Sequence, residues 1–202
     1  PALSTVASKV CGVRPYTADS VFEALIKTII QQQVSYRAAN ILTQRLVDEL
    51  GTKRRLDGRE VFSFPTPEVL SNVSEERLRA MGLGYKASYV RSVATMVMTG
   101  DLDLEGLVGR PVEEVREVLL PIRGVGEWTV ETLCIAGLRD FSVFPYGDLG
   151  IRNLLGRVYQ EGVRMTRHEV EGKAAEWGDD GPLVLYLLMC ADVLGHLGSL
   201  GR

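Results

Sequence analysis

From Ser20 to Gly195 apolar residues recur every three or four positions in one short run after another, and most runs open on a capping residue or proline and close on a glycine. That period buries one face of a helix; a strand needs alternation, and no alternating stretch of useful length occurs. The chain therefore reads as all-α, without internal repeat or low-complexity linker. Ser20-x-x-Glu23 is a capping box, and Phe22, Leu25, Ile26, Ile29 and Ile30 predict a buried helix over 20–31. Three amides follow, Gln31 to Gln33. Ser35 caps a helix carrying Ala38, Ala39, Leu42, Leu46 and Leu50, which stops at Gly51.

Basic residues and Gly58 mark a loop, and Thr66-Pro67-Glu68 is a further start signal. Ser74 opens a short helix to Met81, Gly82-Leu83-Gly84 breaks it, and Tyr89, Val90, Val93, Ala94 and Val97 restore the period until Gly100. Pro111 starts a helix ending near Leu119, and Glu127 starts one reaching about Gly137. Helices are also expected after Asp148, after a second capping box (Thr166-x-x-Glu169), and from Pro182 to about Gly195. The last carries Leu183, Tyr186, Leu187 and Cys190 on one side. Residues 1–18 show no long period, and Pro15 interrupts them.

Between the helices near 119 and 127 lies Gly124-Val125-Gly126. Two glycines around one apolar residue make a tight turn, with positive φ open to either glycine. Such a turn aims several backbone N–H groups one way, at the positive end of the next helix, and that arrangement binds phosphate. Downstream, one acid, Asp148, stands between Gly147 and Leu149 at a helix start. A phosphate-gripping turn followed by a lone carboxylate points to chemistry on a nucleic acid strand.

Composition enters here. With 202 residues, 46% of them hydrophobic, the chain can bury a core in one domain or two small subdomains. There is no apolar run near the ~20 residues that cross a bilayer and no signal-peptide pattern, so a soluble, intracellular protein is expected, with no membrane partner. A net charge of −3 counts against binding DNA by bulk electrostatics, so any grip must be local. Cys11, Cys134 and Cys190 are scattered, with neither disulfide nor zinc spacing, and His168 and His196 lack any partner pattern.

Leu120 to Gly126 resembles the helix-hairpin-helix of the DNA glycosylase superfamily that carries a Gly/Pro-rich loop and a catalytic Asp. Asp148 lies 22 positions after Gly126, which suits that family's acid. Phe144 to Arg152 and Gln32-Gln33-Val34-Ser35 resemble the 3-methyladenine DNA glycosylase II branch, and Gly82 to Ala87 is similar to a patch in 8-oxoguanine glycosylases. The resemblance implies a helical barrel over 21–138, with the hairpin at about 112–138, facing a second helical subdomain of 1–20 plus 139–202 across an active-site cleft. It implies a monofunctional glycosylase of base excision repair that flips and releases alkylated bases. An oxidised-purine glycosylase and a non-catalytic helix-hairpin-helix module are the alternatives. The family's longer members carry an extra N-terminal mixed domain, which is not expected here.

The implied partner is double-stranded DNA with damaged bases, bound by a monomer, in the nucleoid-associated cytoplasm of a prokaryote or otherwise in a nucleus. Asp148 matches the catalytic acid, and its bland alternative is a plain helix cap. Amides around Gly124, Gly126 and Trp128 would hold the backbone. Carbonyls of Leu120, Ile122 and Val125 occupy the positions that hold a Na+ or K+ ion in the family, although Arg123 stands where many members have proline. Gln33 matches the side chain inserted into the vacated stack, and it reads equally well as a helix-end cap. Trp128 replaces the lysine of strand-cutting members and offers a stacking face, with Tyr146 completing a base pocket. Lys86 and Arg152, inside the matched patches, are expected to face DNA. No cofactor is required, and three cysteines exclude the iron–sulfur cluster of the endonuclease III branch.

Overall fold

The computed structural model describes residues 8–10, 12–14 and 17–197; Cys11 and Pro15 fall outside them. The chain divides into two compact units, 17–139 and 1–16 with 140–202. In the first unit, α1 (Val21–Gln31) begins on Ser20, whose hydroxyl accepts from the Glu23 N–H, and buries Val21, Phe22, Ala24, Leu25, Ile26, Thr28, Ile29 and Ile30. A helix apolar nearly all round has to be covered on every side. Covering it are α2 (Tyr36–Leu50), α5 (Lys86–Thr99) and α7 (Glu127–Ala136). The one buried hydroxyl on α1, that of Thr28, turns back to the Ala24 carbonyl at 2.8 Å, so it costs the core nothing unpaired.

Two short helices, α3 (Pro67–Asn72) and α4 (Glu75–Leu78), start on Thr66 and Ser74 caps. A π-turn over Arg79–Leu83 then bends the chain into α5, with Gly82 at φ +99° against the Leu42 side chain. The helix α6 (Val112–Leu119) completes the unit together with α7.

One expectation fails in this unit. Residues 52–63 form an antiparallel hairpin, β1 (Thr52–Leu56) with β2 (Arg59–Ser63), in place of a loop. Every residue of both strands is exposed, so neither face needs apolar residues and the alternation that reveals a strand is missing. The readable signal was Asp57-Gly58: both residues take positive φ, as a two-residue hairpin turn of this type demands.

The second unit packs α8 (Leu149–Tyr159), α9 (Arg167–Trp177) and α10 (Gly181–Val193) around Phe144, Ile151, Leu154, Leu155, Val170 and Leu188. The expected capping box is present: Thr166 Oγ1 accepts from the Glu169 N–H, while Glu169 Oε2 accepts from the Thr166 N–H at 2.7 Å. That N–H, with Gln160 and the Thr166 hydroxyl, holds the Glu169 carboxyl down at about 2. Of the four residues expected on one side of α10, Leu187 and Cys190 are partly buried against Val10 and Ala191. Leu185, Leu188 and Ala191 are buried and Leu183 is 55% exposed, because an almost uniformly apolar helix gives periodicity no direction to report.

Lys86 is the larger correction. Rather than facing DNA, it is 4% exposed, and its Nζ donates to the Ile30 carbonyl at 2.6 Å. Burial lowers its pKa from the usual lysine value. The ammonium sits where the last turn of α1 leaves carbonyls without helical partners, the position at which a cation is favoured. Arg152 is also partly engaged, its Nε donating to the Met165 carbonyl at 2.8 Å. Lys86→Met is expected to destabilise the protein by about 1–3 kcal/mol, the cost of leaving a buried carbonyl without its donor. Urea unfolding checks this, and a midpoint equal to that of the parent would show that the contact contributes nothing.

Candidate functional site

The helices α6 and α7 are joined by a loop whose shape comes from where its apolar residues go. Leu119, Ile122 and Val125 are buried, while Pro121 and Arg123 face solvent. The buried residues pin the loop at three-residue spacing, reinforced by Ile122 N–H to Leu119 O and Val125 N–H to Ile122 O, each 3.0 Å. Between them Gly124 takes φ +91°, while Gly126 is extended at φ −123°. Positive φ is therefore used at one glycine, not both.

The two glycines differ in a second way. A Cβ on Gly124 would lie 2.4 Å from the Tyr89 ring, whereas one on Gly126 would meet nothing within 4 Å. Tyr89 lies flat over the turn, with Tyr85 edge-on at 5.8 Å and the Arg123 guanidinium 5.9 Å from its ring centre. Neither tyrosine was singled out for this packing by the sequence, since glycine spacing says nothing about which ring covers it.

The helix α7 starts on Gly126, whose carbonyl accepts from the N–H groups of Thr129 and Val130 at 2.9 and 3.0 Å. In α1, α2, α8 and α9 a Ser, Asp or Thr side chain fills part of the first turn's N–H set; Gly126 carries no such group. Glu127 is held by Arg116 across the hairpin at 3.2 Å, tying α6 to α7. Trp128 is half-buried in the first turn. The start of α7 thus carries no capping side chain of its own at Gly126.

Gln33 follows the end of α1. It is exposed, stands at φ +55°, and its Oε1 accepts from the Tyr85 hydroxyl at 3.3 Å. The adjacent Gln32, to which the sequence assigned no role of its own, reaches the hairpin: its Nε2 donates to the Gly124 carbonyl at 2.7 Å and to Thr129 Oγ1 at 3.0 Å. Gly124, Gly126, Trp128 and the carbonyl-bearing residues Leu120, Ile122 and Val125 are therefore gathered on one loop, with Gln33 joined to it through its neighbour.

In the second unit, buried Val143, Phe144 and Pro145 lead into a turn in which the Asp148 N–H donates to the Pro145 carbonyl at 3.1 Å. Asp148 is half-buried and caps α8: its Oδ1 accepts from the Ile151 N–H at 2.8 Å. A Cβ at Gly150 would lie 3.1 Å from that oxygen, so the glycine leaves the carboxylate room. One oxygen serving the helix fixes the direction of the whole group. Tyr146 belongs to the same turn, with its ring stacked on Phe144 at 4.9 Å, so one face is already covered.

Among the described residues no cluster of His, Cys, Asp or Glu is placed to hold a metal ion, and no helix is long and apolar enough to cross a membrane.

A family model described as HhH-GPD superfamily base excision DNA repair protein matches residues 26–179. The chain is 31% identical over 159 residues to YfjP of Bacillus subtilis (strain 168), which covers 78% of the chain and 54% of that protein. Among solved structures it resembles a 3-methyladenine DNA-glycosylase from Archaeoglobus fulgidus, at 31% identity and a TM-score of 0.83, over 95% of this chain and 65% of that one. It also resembles the Schizosaccharomyces pombe 3-methyladenine DNA glycosylase Mag1 in complex with abasic DNA. There the identity is 26% and the TM-score 0.77, over 95% of this chain and 92% of that one. The chain spans a little over half the length of the first curated relatives it matches.

The contrast between the glycines can be measured. Gly124→Ala is expected to cost about 1–3 kcal/mol from its left-handed backbone alone, more with the Tyr89 clash, while Gly126→Ala leaves the thermal midpoint nearly unchanged. Equal losses at the two positions would refute this account of the loop.

Proposed function

Because the chain belongs to the HhH-GPD superfamily of base excision DNA repair proteins, we propose that it is a monofunctional DNA glycosylase that releases alkylated purines, of the 3-methyladenine type, from duplex DNA. The observation that carries this is the carboxylate of Asp148, held in one direction at the start of α8. A base inside the stack is out of reach, so the nucleotide must first rotate out at the cost of unstacking. Main-chain N–H groups at Gly126 and the first turn of α7 hold the phosphates, and Gln33 fills the vacated space. A duplex bound by one copy of the chain is the partner.

Bond cleavage then follows from electrostatics. As the N-glycosidic bond breaks, its electron pair leaves with the base and positive charge grows on the sugar. A fixed, partly buried carboxylate stabilises that charge. Water adds its oxygen to C1′ and gives up a proton toward Asp148, leaving an abasic sugar on an intact strand. An alkylated purine is electron-poor or cationic, so the face of Trp128 favours it over a normal base. Tyr146 is proposed as a further aromatic contact for the base.

A Na+ or K+ ion suits the hairpin carbonyls, which are uncharged oxygens of the kind hard cations take. Ile122 O already accepts from the Val125 N–H, which leaves a second lone pair. Leu120, Ile122 and Val125 would hold the ion, and its charge would add to the attraction for phosphate.

Water is favoured over a lysine nucleophile by what four of the five lysines do. Lys86 is buried on the Ile30 carbonyl, and Lys27, Lys53 and Lys173 are paired with Glu23, Glu60 and Glu176. Without an amine against the sugar, no imine forms and the strand stays uncut. Incubation with methylated duplex and borohydride is therefore expected to trap no protein–DNA adduct, with strand breaks appearing only after alkali. A trapped adduct overturns the monofunctional assignment.

Asp148→Asn is the direct test of the acid. Asparagine caps a helix as well as aspartate does, so the fold should survive. Base release is expected to fall about 10²–10³-fold with binding to abasic DNA little changed, as for a group acting mainly in the transition state. A folded variant with near-parent release rates would remove Asp148 from the chemistry.

A further inference from the structure

We infer that Gln32 is a positioning residue that makes the hairpin turn and Gln33 move as one body. The inference rests on the glycosylase reading above and goes beyond it, since it concerns how the backbone grip and the wedge are kept in register. Gln32 ends α1, and its side-chain amide has two N–H groups. Both are used on the hairpin, one on the Gly124 carbonyl at 2.7 Å and one on Thr129 Oγ1 at 3.0 Å. A planar amide held at two points keeps little freedom to swing. Its acceptors belong to the two halves of the grip, the positive-φ turn and the first turn of α7.

Gln33 depends on this anchor because of its own backbone. A non-glycine residue at φ +55° persists only where its surroundings over-determine it. On one side Lys86 Nζ clamps the Ile30 carbonyl at 2.6 Å, and on the other the Val34 N–H donates to the Gln31 carbonyl at 3.4 Å. Gln32 supplies the tie to the hairpin. The Gln33 side chain itself is exposed and rests on the Tyr85 hydroxyl, a long contact at 3.3 Å that a competing base can replace. Whether it reaches the gap left by a flipped nucleotide depends on where its main chain stands relative to the phosphates, and Gln32 sets that offset.

The test is a double-mutant cycle on the full chain. Gln32→Leu keeps the size and removes both donors. Base release from methylated duplex is expected to fall about ten-fold, since a misplaced wedge costs rate steeply. The fluorescence of 2-aminopurine opposite the lesion, which reports extrusion, should fall with it. Affinity for undamaged duplex, set by phosphate contacts, should stay within about two-fold. In a Gln33→Ala background the same substitution should cost nothing further in release or fluorescence. Additive losses would mean that Gln32 acts only through general stability and would overturn the inference.

Should Gln32→Leu fold poorly, Thr129→Val removes one of the two acceptors at constant volume and must show a smaller loss that likewise vanishes beside Gln33→Ala. Parent protein that flips lesions opposite 2-aminopurine but releases no base refutes the proposed function and leaves the cycle readable by fluorescence. Parent protein that produces no extrusion signal removes Gln33 as a wedge, and Gln32's role with it.

Discussion

Eight of the eleven residues of α1 are buried, and the first unit is arranged by the need to cover that one helix on every side. Burying a side chain of the size of Leu25 or Ile29 contributes about 1.5–3 kcal/mol, so its four large aliphatics together outweigh any surface contact in this unit. Covering a helix completely also creates a problem at its end, where the last carbonyls have lost water without gaining helical partners. The chain meets it with a buried lysine on Ile30 and a turn whose Gln32 side chain is hydrogen-bonded to the hairpin. The most strongly packed element therefore ends in a turn tied to the hairpin by hydrogen bonds from Gln32.

That arrangement bears on how an acidic protein could hold the polyanion proposed as its partner. The net charge is −3, Lys27, Lys53 and Lys173 are engaged in ion pairs and Lys86 lies in the core, so these four lysines add little to any affinity for phosphate. Backbone N–H groups carry no formal charge and need no counter-charge nearby. A glycine at the start of α7 keeps a side chain from occupying them. The close contact of Gly124 with Tyr89 fixes the turn at the angle the loop requires.

The carboxylate follows the same logic in the second unit. Asp148 serves as a cap through one oxygen, and that structural duty orients a group proposed to act chemically through its charge. Capping is compatible with the proposed catalysis because the cap uses the carboxylate as an acceptor and leaves its charge in place.

Helix starts and stops were written in local chemistry. Ser20, Ser35, Thr66, Ser74, Asp148 and Thr166 each cap the helix expected of them, because a cap needs only its own next three residues. The all-α class and the turn at Gly124 were legible for the same reason. The Asp57-Gly58 hairpin was hidden, since a strand pair exposed on both faces leaves no periodic trace, and the buried face of α10 was hidden because an evenly apolar helix has no direction of its own. Only the tertiary structure decided that Lys86 lies inside and that Gln32, not its neighbour, holds the hairpin. Those contacts join residues 56 and 92 positions apart, and which distant carbonyl a side chain meets depends on how whole helices pack rather than on any neighbouring residue.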